Sequence, residues 1–211
     1  MPSYTAPVRD LSFVLNELLA ITDCTGIPGY GDVSADLIDA VLDGGAKMAE
    51  EVWAPLNQVG DEEGCRFENG VVRVPSGFKD AFDAWNEGGW NAISTSADWG
   101  GQGLPGVIGM AVGEMAMSSN LSLSMYVGLT GGAASVLMTV APDHLKQLYV
   151  PKMMSGEWTG TMNLTEPHCG TDLKLMRTKA VEQDDGTYAI TGTKIFITGG
   201  DHDMTDNIVH L

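Results

Sequence analysis

A run of residues without any charged side chain, residues 115–141, restricts what this chain can fold into. Such a run is long enough either to cross a membrane or to lie in the interior of a folded domain. Ser, Thr and Asn side chains are scattered through it, and no Lys or Arg lies between Lys79 and Lys146 to flank a membrane span. We therefore expect a pair of buried helices here and no integral membrane span.

Two features subdivide this apolar run. Pro105 suits the first residue of a helix, so the pair is predicted to begin there. The sequence Gly128-Leu-Thr-Gly-Gly132 lies within the run and permits either close helix packing or a break that faces a ligand. Close packing is the commoner of these two arrangements.

Apolar residues at helical spacing predict further helices before and after this run. Asp10, Ser34 and Ser76 are the expected N-terminal caps, and Pro142 is expected to start the last helix. The predicted helices cover about 10–19, 34–57, 77–87 and 142–155. The segments between them are predicted to be a loop at 22–32, an acidic turn at 60–64, a hairpin over 65–75 that turns at Asn69-Gly70, and a loop at 94–105.

From Trp158 onward the apolar pattern changes to a period of two, which favours strands. The strand candidates are 158–164, 177–182, 188–191, 195–198 and 207–211, and Asp184-Asp-Gly186 is predicted to turn between two of them. The chain is therefore expected to be an α domain followed by a β domain.

The charge balance limits the ligands. The chain has 11 Lys and Arg against 28 Asp and Glu, a net charge of −17. Such a surface repels nucleic acid and anionic membranes, so we expect no nucleic-acid partner. Cys24, Cys65 and Cys169 are odd in number and widely spaced, and the chain opens without a cationic and apolar leader. We therefore expect free thiols and a cytoplasmic location.

Three other motifs resemble a dinucleotide site, a metal site and a catalytic dyad, and each has a simpler structural interpretation. Gly101-x-Gly103-x-x-Gly106 follows no hydrophobic strand, so we interpret it as an interhelical loop and not a dinucleotide site. Asp201-His-Asp203 with His210 lacks a further ligand at suitable spacing, so we expect a turn in solvent and no metal. His168-Cys169 suits a loop that holds a ligand better than a catalytic dyad.

The richest polar chemistry lies in two short stretches, residues 161–172 and 193–200. In the first, Pro167 must end the strand that precedes it, and Gly170 allows a ligand to approach the backbone. The second ends in paired glycines and contributes Phe196. Together with hydroxyls at Thr165 and Thr198, they provide the groups needed to stack against and hydrogen-bond a flat, uncharged ring.

The two stretches resemble, in order and spacing, the flavin site of the acyl-CoA dehydrogenase family. The resemblance is carried by Leu164-Thr-Glu-Pro-x-x-Gly-Thr-Asp172 and Gly192-x-Lys-x-Phe-Ile-Thr-Gly-Gly200. Segments 4–10 and 200–211 resemble an N-terminally extended subgroup that includes 3-methylmercaptopropionyl-CoA dehydrogenases, so the resemblance covers essentially the whole chain.

The resemblance implies an α+β fold, an N-terminal all-α helical domain followed by the first part of an antiparallel β domain. The implied divisions are an N-terminal extension at 1–32, a helical domain at 33–157 with a small hairpin near 64–75, and the start of a middle β domain at 158–211.

It also implies a cofactor, FAD, and the residues that contact it. The implied cofactor-binding residues are Met162, Leu164, Thr165, Thr171, Phe196, Ile197 and Thr198. Thr171 is implied to touch the pantetheine arm of acyl-CoA as well. Phe196 and Thr171 stand where the family commonly has Trp and Ser.

The implied reaction is α,β-dehydrogenation of an acyl-CoA thioester in fatty acid metabolism, with 3-methylmercaptopropionyl-CoA as one candidate. Electron-transferring flavoprotein is the implied electron acceptor, and the protein is implied to be a homo-oligomer. The family's catalytic glutamate has no counterpart within this chain, and Glu166 is expected to be structural. Two alternatives remain, a non-catalytic module that binds flavin or acyl-CoA, and an acyl-CoA oxidase.

Overall fold

The structure of the protein is a computed structural model, and it describes residues 3–211. Helices dominate the first three quarters of the chain, interrupted by one short hairpin, and short strands dominate the remainder. The α-helices are α1 (Val8–Phe13), α2 (Ala35–Lys47), α3 (Ala54–Glu63), α4 (Phe78–Glu87), α5 (Gly106–Ser119), α6 (Leu121–Val140) and α7 (Asp143–Met154). The strands are β1 (Arg66–Glu68), β2 (Val71–Arg73), β3 (Trp158–Thr161), β4 (Lys179–Glu182), β5 (Tyr188–Thr191) and β6 (Asn207–His210). Four 3-10 turns (Ile21–Asp23, Trp90–Ala92, Ala97–Trp99, Leu173–Leu175) and two π-helical segments (Val14–Leu18, Met48–Trp53) complete it.

The second predicted helix is longer than expected. Ser34 caps it as predicted, because its hydroxyl accepts the Leu37 N–H at 3.2 Å. A π-helical segment joins α2 to α3, so the helix continues to Glu63 and the acidic turn expected at 60–64 is wrong. The glycine at position 60 allows close packing and does not form a turn, since a Cβ there would lie 2.7 Å from the Phe78 ring.

Two other expected caps are not caps. Asp10 lies inside the first turn of α1, whose N-cap is Pro7. The N-cap of α4 is Gly77 in the left-handed region, while the Ser76 N–H donates to the Glu63 carboxylate at 2.8 Å. Both helices therefore begin without the side-chain cap that the sequence predicted.

The charge-free run forms α5 and α6, and the break between them is at Asn120. The Asn120 side chain accepts the Leu123 N–H at 3.0 Å and donates to the Trp53 carbonyl at 3.2 Å. Helix α6 continues through Gly128 and Gly132, so neither a break nor close packing at these glycines is observed.

The helix pair was expected to be buried, and the structure buries it on one side only. One face of α6 is covered, at Leu123, Ser124, Thr130, Ala133 and Ala134. On its other side Val140 is 73% exposed, and Met110 of α5 is 75% exposed. By length and composition, α6 is the one helix among residues 3–211 that could cross a membrane.

Strand β3 is seated directly on the helices. The Gly160 N–H donates to the Thr130 hydroxyl at 3.0 Å, and a Cβ on Gly160 would lie 2.8 Å from the Ala133 Cβ. The main core lies among α2 to α6, where the Trp53 and Trp85 rings are 4.5 Å apart. Helix packing therefore sets the position of β3 and of the loop that follows it.

The strands form three separate pairs. The hairpin β1–β2 is present around Asn69-Gly70, and β4 pairs with β5 in the antiparallel direction. Strand β3 pairs with β6 in parallel, in contrast to the antiparallel direction expected throughout. The α+β fold class is confirmed, with helices first and strands after them.

Candidate functional site

The two polar stretches singled out in the sequence lie side by side. The Ile195 N–H donates to the Thr165 carbonyl at 3.0 Å. The Lys194 ammonium reaches across the same gap and donates to the Leu164 carbonyl at 3.0 Å. Residues 164–165 and 194–195 therefore form one continuous surface, although about 30 positions separate them in the chain.

The buried side chain of Glu166 stabilises this junction. It accepts hydrogen bonds from the Lys194 ammonium at 3.0 Å, the Arg177 N–H at 2.7 Å and the Thr178 N–H at 3.0 Å. The Thr178 side chain, these two N–H groups and Lys194 hold the pKa of Glu166 far below its usual range. Glu166 is thus an ionised structural group, as expected, and a carboxylate so placed is a poor proton acceptor.

A tight turn follows Glu166. The Glu166 N–H donates to the Cys169 carbonyl at 2.9 Å, and the Cys169 N–H donates back at 3.0 Å. His168 donates through Nε2 to the Leu175 carbonyl at 2.8 Å, and the Cys169 thiol is buried. Ligand atoms of Glu166, His168 and Cys169 lie within 4.8 Å of one another. Both carboxylate oxygens already accept hydrogen bonds from Lys194 and two backbone N–H groups, and His168 Nε2 carries a hydrogen toward Leu175, so this donor set does not fit a metal.

The segment 195–198 is a turn, so the strand predicted there is wrong. Phe196 has a φ of +56° and is 89% exposed, and Gly199 follows with a φ of +63°. A non-glycine residue in the left-handed region is strained, and such strain concentrates at ligand sites. The alternation of apolar and polar residues imitates a strand, but the anchors at Lys194 and Ile195 bend the backbone outward.

Several polar groups on this surface have no hydrogen-bond partner among the described residues. Within residues 3–211, no hydrogen bond is formed by the hydroxyls of Thr165, Thr171 and Thr198 or by the N–H groups of Leu164 and Thr198. Uncharged donors next to an exposed aromatic ring fit the carbonyls, nitrogens and face of an isoalloxazine. The residues present therefore fit FAD.

The remaining predicted residues lie on the same loop. Met162 is 54% exposed directly after β3, and Leu164 is half-buried. Thr171 is exposed, and its carbonyl accepts the Leu173 N–H at 3.2 Å. Among the described residues no hydrogen bond joins Thr171 to the turn that carries Phe196. The Thr171 hydroxyl is thus left exposed on the same loop as Thr165.

A cavity lies on the helical side of Thr198. Its volume is about 260 Å³. Its lining comprises Thr198, the α6 residues Ser122, Met125 and Tyr126, and Gly60, Cys65, Pro75 and Phe78. Sequence reasoning missed Tyr126, because the α6 residues were assigned to the core as a group. A tyrosine within an otherwise uncharged run was the available signal, since buried tyrosines usually mark a polar contact.

The solvated turn expected at 201–203 is also wrong. The His202 side chain is buried, and its Nε2 lies 2.8 Å from the Thr159 hydroxyl. Asp203 accepts the Val74 N–H at 3.0 Å and pairs with Arg73 at 3.0 Å. These side chains connect the end of the second polar stretch to β3 and to the β1–β2 hairpin. The acidic residues around His202 made the segment look like a surface turn.

Comparisons with known proteins agree with this arrangement. The family model for the acyl-CoA dehydrogenase N-terminal domain matches residues 39–157. A 3-methylmercaptopropionyl-CoA dehydrogenase from Ruegeria pomeroyi is 44% identical over 99% of this chain and 36% of its own length. A butyryl-CoA dehydrogenase from Syntrophomonas wolfei is 37% identical over 99% of this chain and 35% of its own.

Among solved structures, an acyl-CoA dehydrogenase complexed with FAD from Bacillus anthracis is similar in fold. The TM-score is 0.66 at 20% identity, over 80% of this chain and 27% of that one. The chain spans about a third of the length of the two curated relatives. Because the family model matches more than half of its residues, the chain belongs to the acyl-CoA dehydrogenase family.

Proposed function

We propose that the protein to which this chain belongs oxidises an acyl-CoA thioester to the 2-enoyl-CoA with FAD as its cofactor. One observation supports this most directly, the junction of the two polar stretches through Thr165 and Ile195. That junction places unpaired uncharged donors beside the exposed ring of Phe196. FAD, when bound, supplies the acceptor for the hydride that leaves the β-carbon.

In this proposal, each predicted cofactor-binding residue other than Thr171 has a defined task toward the flavin. Thr165 and Leu164 donate from hydroxyl and backbone to the ring, while Met162 and Ile197 contribute apolar contacts at its edges. Phe196 packs on the ring, and its strained backbone holds the side chain outward. The Thr198 hydroxyl donates toward the region where negative charge develops during reduction.

Thr171 is assigned to the substrate. Its side chain is exposed and follows the tight turn formed by Glu166 and Cys169. A hydroxyl there can contact the pantetheine arm while Gly170 leaves room for the ligand. Within residues 3–211, the one atom near a Cβ on Gly170 would be Thr165 Cγ2 at 3.7 Å, so packing in this part of the chain does not require a glycine.

No residue of this chain is proposed as the base that removes the α-proton. Glu166 is excluded from that role, because Lys194 and two N–H groups occupy its oxygens. We place the base elsewhere in the protein, in keeping with the relatives, which are about three times as long as the matched region.

The proposed substrate follows the name of a relative. We propose 3-methylmercaptopropionyl-CoA as a candidate substrate because a relative named for that activity is 44% identical. Electron-transferring flavoprotein as electron acceptor, a homo-oligomeric state and a cytoplasmic location belong to the same proposal. The three cysteines are free, in agreement with a reducing compartment.

Anaerobic reduction of the flavin tests the proposal. The full-length protein loaded with FAD is mixed with 3-methylmercaptopropionyl-CoA or butyryl-CoA, and the flavin absorbance and the product mass are followed. Bleaching with a product two hydrogens lighter is expected. FAD binding without bleaching by any acyl-CoA would instead indicate a binding module.

A second measurement separates dehydrogenase from oxidase. The reduced protein is exposed either to oxygen or to electron-transferring flavoprotein, and the return of the oxidised flavin spectrum is timed. Fast reoxidation by the flavoprotein and slow reoxidation by oxygen are expected. The reverse order would indicate an acyl-CoA oxidase.

A further inference from the structure

His202 lies in a hydrogen-bond chain whose direction is fully determined. The Met204 N–H donates to Nδ1 at 3.2 Å, so Nδ1 must carry a lone pair. The Thr205 hydroxyl donates to the Asn207 carbonyl at 3.0 Å, so toward Thr159 its oxygen can only accept. The Thr159 hydroxyl therefore donates to Thr205 at 3.4 Å and accepts from His202 Nε2–H at 2.8 Å.

Only one form of the imidazole satisfies this chain. The neutral ring with its hydrogen on Nε2 donates to Thr159 and accepts from Met204. A protonated ring would direct a second N–H at the Met204 N–H, and two donors would then face each other. Burial lowers the pKa of His202, although Asp201 and Asp203 beside it raise it. The ring is therefore neutral at neutral pH.

The His202 ring is also connected to the turn that carries Thr198, through Tyr126. The Tyr126 ring of α6 meets the edge of His202 at a centroid distance of 5.3 Å and an interplanar angle of 88°. The same Tyr126 ring lies 3.1 Å from where a Gly199 Cβ would be. Tyr126 is thus adjacent both to His202 and to the turn that carries Thr198.

The neighbouring residues attach this segment to the helical region. Met204 is 2% exposed in the main core, and its carbonyl accepts from Lys79 at 3.0 Å. The titratable and charged groups around His202 are Asp201 and Asp203 on its own segment, Tyr126 on α6 with Cys65 beside its hydroxyl, Arg73 on β2 and Lys79 on α4. Thr159 on β3 is uncharged. Polar contacts with β2, β3 and α4 therefore hold the segment in place.

We infer that neutral His202 is a positioning residue that fixes the Thr198 turn against Tyr126, and that protonation of the ring loosens this turn. The link from the turn to flavin reduction rests on the proposed function. The loosening itself does not, because it concerns only contacts inside the chain.

Backbone hydrogen exchange in residues 196–205 of the full-length protein loaded with FAD tests the inference. Thr159→Val keeps the side-chain shape and removes the acceptor for Nε2–H. His202→Asn keeps a carbonyl that can accept from Met204 and loses the contact to Thr159. Both variants are expected to speed exchange in this segment about tenfold. His144→Asn, at an exposed histidine of α7, is the matched control and should leave exchange unchanged.

Two further readouts distinguish positioning from general destabilisation. Flavin reduction at saturating acyl-CoA should slow about threefold to tenfold in both variants while FAD occupancy is kept. In the parental protein, exchange corrected for its intrinsic pH dependence should rise as pH falls below 6.5, the ordinary pKa of histidine. This rise should be absent from His202→Asn, which cannot titrate.

The outcomes separate this inference from the proposed function. Unchanged exchange in Thr159→Val overturns the inference. Faster exchange with an unchanged reduction rate supports the positioning of the turn by His202 and overturns the link from the turn to flavin reduction. Thr159→Val decides the matter should His202→Asn fail to fold. A parental protein that binds no FAD would refute the proposed function, and the exchange comparison would still decide how His202 acts on the turn.

Discussion

The Lys194 ammonium lies 3.0 Å from Glu166 Oε1 and 3.0 Å from the Leu164 carbonyl, so one side chain connects the two polar stretches twice. Both side chains are largely shielded from water, with Lys194 at 17% exposure and Glu166 at 2%. The pair therefore supports the surface that we assign to the flavin, and it does so without facing the ligand itself.

Replacing Lys194 should cost both stability and cofactor. In Lys194→Met the side-chain volume is similar, but the Glu166 carboxylate stays buried without the Lys194 charge that compensates it, which is strongly unfavourable. We expect a lower thermal midpoint and partial loss of FAD on gel filtration. Lys179→Met, at an exposed position of β4, is the control and should match the parent. Equal FAD retention in the two variants would show that the pair does not support the site.

Acid should weaken the same junction. The pKa of Glu166 is lowered in the folded state, so its contribution to stability is complete above the ordinary value of 4.5 and is lost as pH falls below it. Thermal midpoints measured from pH 7 to pH 3 should fall more steeply for the parent than for Glu166→Gln. Parallel curves for the two proteins would contradict this assignment.

Thr198→Val should slow flavin reduction more than it weakens FAD retention. The hydroxyl stabilises charge as it develops on the ring, and we expect a loss of roughly tenfold to a hundredfold in the reduction rate. Thr198→Ser, which keeps the hydroxyl, should lose much less. Stopped-flow bleaching gives the rate, and FAD released on denaturation gives the occupancy. A parental rate with full occupancy in Thr198→Val would refute the role.

Thr171→Leu should lower the affinity for acyl-CoA and keep FAD bound. The larger apolar side chain removes a hydroxyl and narrows the path that we assign to the pantetheine arm. Thr171→Ser should be mild, because the hydroxyl remains. Titration of the flavin absorbance with acyl-CoA measures the affinity. If Leu and Thr at this position bind acyl-CoA equally well, the substrate assignment fails.

Local signals in the sequence predicted several features of the helical region, including its hairpin turn and one helix cap. The Asn69-Gly70 turn was predictable because both residues take positive φ, +53° and +83°, as a tight hairpin requires. Ser34 was predictable for a similar reason, since a cap depends on three neighbouring residues. Such features are determined by contacts within a few positions of the chain.

The errors arise where distant contacts decide the structure. The turn at Phe196 follows from the anchoring of Lys194 to Glu166, which lies 28 positions away. His202 is buried because β3 and α6 close over it, and neither contact is visible in an acidic local sequence. The parallel pairing of β3 with β6 likewise joins segments that nothing in the local pattern links.

The contact of Gly160 with α6 restricts how sequences of this kind can diverge. A methyl group on residue 160 would overlap Ala133 and Met153, at 2.8 and 2.6 Å. An alanine at 160 therefore demands a smaller residue at 133 or a shifted side chain at 153, and these positions are expected to covary among relatives. A lone Gly160→Ala change would displace Thr161 and the adjoining loop by a few tenths of an ångström or more, enough to detune a cofactor site whose own residues are all unaltered.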